Sequence, residues 1–95
     1  MATQDRVTVL ATGFLHSLRR ERGLPAYLTL AIPGSGTTAR DLALELGLPV
    51  ERIEGIFLNH SKAGLRAAVR PGDRVAFVPY GTPASHPAFF GPFAD

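Results

Sequence analysis

Residues 38–47, Thr-Ala-Arg-Asp-Leu-Ala-Leu-Glu-Leu-Gly, constrain the fold of this chain more than any other stretch. Thr38 is a good N-cap residue. Asp41, three positions on, sits where a carboxylate suits the positive end of a helix dipole. Leu42 and Leu46 stand one turn apart, on a face shared with Ala39 and Ala43. Gly47 follows where a helix is most easily stopped, since glycine enters the left-handed region without steric penalty. The pattern predicts a helix over residues 38–46 with an apolar stripe that needs a surface to cover.

That surface comes from runs of the other period. Residues 26–32, AYLTLAI, alternate: Leu28, Leu30 and Ile32 fall on one face, Tyr27, Thr29 and Ala31 on the other. Residues 6–13, RVTVLATG, are β-branched and apolar and read as a strand that pairs with it. Between them, Phe14, Leu15 and Leu18 recur at helical spacing before Gly23, so residues 14–23 fit either one or two helical turns or a loop. After the main helix, residues 48–55 are a connector with room for a short helical turn. Residues 55–60, GIFLNH, read as a buried strand leading to a turn. Residues 61–73 are mostly loop, with a small strand at 65–69. Pro71-Gly72 suits a type II turn that feeds the last strand, residues 74–80. The element order gives an α+β fold, a mixed four- or five-stranded sheet packed on one main helix, as in a β-grasp or ubiquitin-like roll. Val9, Leu30, Leu42, Leu46, Phe57, and Val75 or Phe77 are the expected core.

Composition narrows the function. The chain has 95 residues, enough for one domain with one core. It has no cysteine, which excludes disulfides, thiolate metal sites and a cysteine nucleophile. No apolar run has the length of a membrane span, and the N-terminus lacks the pattern of a signal peptide, so the expected location is the cytoplasm. The net charge of +2 is too small to argue for nucleic acid, and the cluster Arg19, Arg20 and Arg22 reads as a solvated face. Gly34-Ser35-Gly36-Thr37-Thr38 has the look of a phosphate cradle ahead of a helix, but lacks the lysine and spacing of a P-loop. His16, His60 and His86 are scattered without ligand spacing, so no metal is expected. No nucleophile motif or carboxylate pair stands out. The residues offer no self-contained catalytic site, so the chain reads as a binding protein and not as an enzyme, with no cofactor of its own.

Three segments together resemble the MoaD/ThiS family of small sulfur carriers: GTTARDLALELGLP, IFLNH and RPGDRVAFVPY, within residues 6–81. The resemblance implies a β-grasp fold and a role in molybdopterin, tungstopterin or thiamine cofactor biosynthesis. It implies docking on an adenylating, ubiquitin-activating-like enzyme or on the large subunit of a cofactor synthase. In that family the chain ends in Gly-Gly, whose carboxylate is adenylated and converted to a thiocarboxylate. This sequence has the single Gly81, followed by Thr82-Pro83, and runs on to Asp95. Gly81 is therefore a carrier terminus only after processing, and His60 replaces the glycine expected after Asn59. The alternatives are a β-grasp adaptor or regulatory subunit that carries no sulfur, and a TGS-like ligand- or RNA-binding module. The reading divides the chain into a domain at residues 1–83 and a Phe/Pro-rich tail at 84–95. Partner binding is assigned to Phe77, Val78, Pro79 and Tyr80 on the last strand, to Arg66, Arg70 and Arg74 as a basic rim, and to Phe89 and Phe90 in the tail. On the strand, one of Phe77 and Val78 is expected to face outward.

Overall fold

A computed structural model of the chain describes residues 5–80. Its first strand, β1 (Arg6–Ala11), leads into helix α1 (Gly13–Glu21). Then come β2 (Tyr27–Ala31), the short β3 (Thr37–Thr38) and helix α2 (Ala39–Glu45). A 3-10 turn at Val50–Arg52 precedes β4 (Ile53–Leu58), β5 (Ser61–Ala63), β6 (Ala68–Val69) and β7 (Arg74–Pro79). Five strands form one mixed sheet in the order β2-β1-β7-β4-β5, and β3 pairs with β6 in a separate ribbon. Among the described residues the only parallel pair is the central one, β1 with β7.

The main helix forms as its sequence dictates. The Thr38 hydroxyl accepts the Asp41 amide at 3.1 Å. At the other end Gly47 takes φ +74°, its amide donates to Leu44 and the Leu48 amide donates to Ala43, a Schellman closure. Among the described residues there are two α-helices, however, and not one. Residues 13–21 form a nine-residue helix, longer than α2, closed in the same way at Gly23. A helix that short is marginal by itself. Here it is held by Leu15, fully buried in the core, and by Arg19, which is only 5% exposed. The Arg19 Nε donates to the Pro25 carbonyl at 2.7 Å and its Nη1 donates to the Leu46 carbonyl at 3.0 Å. Arg22 adds a bond to the Gly47 carbonyl at 3.2 Å. Two of the three arginines read as a solvated face thus tie α1 to the C-terminal end of α2, where cations are electrostatically favoured.

The core lies on one face of the sheet. Val7, Val9 and Ala11 of β1, and Val75 and Phe77 of β7, meet Leu15, Ala39, Leu42 and Ala43 of the helices. Leu30 and Leu46 pack against this cluster but are only partly buried. Phe57 departs from expectation. The ladder between β4 and β7 pairs Ile53 with Pro79 and then Gly55 with Val78, leaving Glu54 as an extra residue. Such a bulge reverses the alternation beyond it, because side chains have a period of two. Ile56 consequently enters the core and Phe57 is turned to the opposite face, half-buried.

The turns near the start of β7 follow their chemistry. Pro71-Gly72 makes the expected type II turn: the Asp73 amide donates to Arg70 at 3.1 Å, and Gly72 has φ +93°. Asn59 and His60 form the two-residue link between β4 and β5, with φ +51° and +73°. Positive φ at both central positions is the type I′ pattern, in which glycine is favoured at the second position and histidine is strained. Residues 61–73, read mostly as loop with one strand at 65–69, supply β6 within that span and β5 besides.

Candidate functional site

The outer face of the sheet, opposite the helices, is built by the alternate residues of each strand. Register places Tyr27 beside Leu10, Leu10 beside Ala76 and Ala76 beside Phe57. The result is an apolar stripe across four strands. It forms an open depression of about 360 Å³, with Thr8, Arg74 and His60 along its polar side. Leu10 is 36% exposed and Tyr27 59%. The opposite face of these strands carries the core, so the sheet holds this stripe rigidly.

One polar network connects the sequence segments behind the depression. The Asn59 side-chain amide donates to one Asp73 carboxylate oxygen at 2.9 Å, and its carbonyl oxygen accepts the Arg74 amide at 2.9 Å. The other Asp73 oxygen accepts the Arg70 amide at 2.8 Å. The Asn59 amide donates to the Arg74 carbonyl at 2.9 Å. Asn59 and Asp73, far apart in sequence, thereby lock the β4–β5 turn against the Pro71-Gly72 turn and fix the start of β7. Arg74 and His60, which flank the depression, are both set by this network.

The residues assigned to partner binding are not brought together as expected. Phe77, Val78 and Pro79 are all buried, so none of them offers an exposed docking surface. Phe77 faces the helices. Val78, on the opposite face of the strand from Phe77 as alternation requires, lies beside Gly55 and is only 1% exposed, so it offers no open surface. Tyr80 is 62% exposed at the end of the strand. Of the arginines, Arg74 lines the depression, the Arg70 stem runs beside Gly36, and Arg66 is exposed in the turn between β5 and β6. Gly81, Phe89 and Phe90 lie outside the described residues, as does His86.

Other sequence candidates resolve into structural roles. In the Gly34–Thr38 segment, the Gly36 amide donates to Pro33, forming a turn. The first three amides of α2 are already bonded: Ala39 to Ala67, Arg40 to Leu65 and Asp41 to the Thr38 hydroxyl. The donors a phosphate would need are therefore engaged by the protein itself. His16 borders a second shallow surface beside Arg20 and Leu24, separate from the His60 rim. Among the described residues, no group of three His, Cys, Asp or Glu side chains is placed to hold a metal ion. Among the same residues, no helix is long and apolar enough to cross a membrane.

The sequence reading missed Thr8, Leu10, Tyr27 and Ala76. The signal present was alternation, which puts Leu10 and Tyr27 opposite their core-facing neighbours. The pairing of β1 with β7 that unites them is visible only in the fold. No family model, curated protein or solved structure matches this chain.

Proposed function

We propose that this chain is a β-grasp protein of the MoaD/ThiS kind, acting by docking on a partner enzyme in sulfur transfer for cofactor biosynthesis. The observation that carries the reading is the Asn59–Asp73 network. It joins the two segments, IFLNH and RPGDRVAFVPY, on which the resemblance rests, through hydrogen bonds that need an amide and a carboxylate at those positions. The sheet order β2-β1-β7-β4-β5, with its central parallel pair, supports the β-grasp topology. The partner is an adenylating enzyme or the large subunit of a cofactor synthase. It docks on the outer sheet face, with Tyr80 at the exit of β7. In this reading the chain is processed to expose Gly81, because a carboxylate that is to be adenylated in a narrow channel needs a residue without a Cβ.

A second reading is favoured by the sequence after Tyr80. Gly81 is single, and Thr82-Pro83 follows it. A β-grasp adaptor that never carries sulfur needs no processing. Intact-mass measurement on protein recovered from its native cell separates the two. A species ending at Gly81, with one carboxyl oxygen replaced by sulfur, supports the carrier. A species that retains residues 82–95 and carries no sulfur, recovered with a bound enzyme, sinks the carrier and leaves the adaptor.

A further inference from the structure

The five-stranded sheet ends in β2 on one side and β5 on the other, and the two edges differ. β5 is three residues long with Lys62 at its centre, which protects an edge against further pairing. β2 is five residues long, and residues 23–39 contain no Asp, Glu, Lys or Arg. An uncharged edge strand is a template for pairing with another chain. We propose that β2 pairs antiparallel with β2 of a second copy of this protein, about a two-fold axis at Thr29, so that the two sheets become one.

The phase of the hydrogen bonds in β2 is the first argument. The Ala11 amide donates to Ala26 at 2.8 Å and the Ile32 amide to Asp5 at 3.0 Å. Bonded pairs recur at every second residue of an antiparallel ladder, so in this register Leu28 and Leu30 also bond to β1. Tyr27, Thr29 and Ala31 therefore turn their N–H and C=O groups away from β1, toward the edge. Among the described residues, nothing bonds these groups on that side. The open run is also bounded. Pro25 and Pro33, which have no N–H, stand four positions to either side of Thr29. The Pro25 carbonyl accepts Arg19 Nε at 2.7 Å and the Pro33 carbonyl accepts the Gly36 amide at 2.8 Å. The free groups are thus confined to residues 27, 29 and 31, symmetrically about Thr29.

That symmetry selects a second copy as the occupant. An axis at Thr29 sets Thr29 against Thr29 and Tyr27 against Ala31 of the second copy, and every free N–H and C=O finds a partner. Sliding one strand by two residues brings a proline opposite Tyr27 or Ala31 and leaves that residue's groups unpaired. On the outer face each Tyr27, 59% exposed, meets the small Ala31 of the other copy. On the inner face the half-buried Leu28 and Leu30 meet Leu30 and Leu28. No charge is stripped of water. A joint this short belongs among small, reversible interfaces. Because Tyr27 borders the outer depression, the second copy adds Ala31 to that end of the candidate site.

Sedimentation equilibrium of the full chain, up to about 1 mM to reach the weak end of the affinity range, tests the proposal. The mass is expected to rise with concentration from 10.1 kDa toward twice that value. Amide exchange at Tyr27, Thr29 and Ala31 should slow over the same range. Thr29→Lys sets like charges directly opposite each other and should hold the mass at that of one chain, as should Thr29→Glu. Thr29 is exposed, so the circular dichroism of both variants should match the parent. Mixing the two variants should restore the doubled mass, since Lys then faces Glu. A parent that stays at 10.1 kDa throughout overturns the proposal. So does a doubled mass with unchanged exchange at the three amides, or one that persists in both variants, since either places the contact elsewhere. A mixture of folded variants that stays at the mass of one chain overturns the axis at Thr29, and the proposal with it.

Discussion

Arg19 provides the most demanding test of how this fold is held together. Its guanidinium is nearly buried, and two carbonyls, from Pro25 and Leu46, accept its hydrogen bonds at 2.7 and 3.0 Å. Arg19→Met keeps most of the aliphatic volume and removes both bonds. A hydrogen bond to a charged group contributes about 1.5–3 kcal/mol net. Two would give about 3–6 kcal/mol, but burying the guanidinium costs desolvation, and water can reach part of each vacated carbonyl. The expected loss is therefore about 2–4 kcal/mol. For a domain of this size each kcal/mol is worth about 4–8 °C in Tm, so a fall of at least about 10 °C is expected. Arg19→Lys should fall between the two, since an ammonium on a shorter stem cannot span both carbonyls with a planar fork. Urea and thermal unfolding followed by circular dichroism read both variants. If Arg19→Met unfolds within about 0.5 kcal/mol of the parent, the typical range of a featureless surface change, the anchoring role is wrong. If Lys costs as much as Met, the loss comes from packing and not from the hydrogen bonds.

Five further substitutions test the other elements in the same assays. His60→Gly should stabilise by about 0.5–1 kcal/mol, because glycine relieves the positive φ of the β4–β5 turn; destabilisation would mean that the His60 side chain makes a contact worth more than the strain. Asn59→Ala should cost about 2–3 kcal/mol through its lost bonds to Asp73 and Arg74, and an unchanged midpoint would remove the network from the argument. Gly36→Ala should cost more than about 1 kcal/mol, since φ is +93° and a Cβ would stand 2.8 Å from the Val69 carbonyl oxygen. Phe77→Ala should cost about 3–5 kcal/mol and Phe57→Ala clearly less, because only Phe77 is fully buried in the core; equal losses would contradict the bulge at Glu54.

What the sequence determined by itself was set by interactions a few residues long. The Thr38 cap, the Gly47 stop, the type II turn at Pro71-Gly72 and the alternation of residues 26–32 each depend on neighbours within one turn or one strand. Such features can be read before any tertiary contact is known. Tertiary structure decided the rest. Helix α1 was undecided between helix and loop because nine residues do not hold a helix alone; Leu15 and the Arg19 bonds to other segments make the difference. Phe57 reads as core by alternation, but one extra residue opposite β7 reverses its face, and a bulge leaves no periodic signal. Arg19 reads as surface by residue type, until the carbonyls that accept it are brought near. The candidate site was the least legible part. Its stripe exists because β1 lies parallel to β7, which sets Leu10 beside Ala76 from the other end of the described chain. Periodicity specifies which face of a strand a side chain occupies, but only the packing of the whole chain specifies which strand lies beside it.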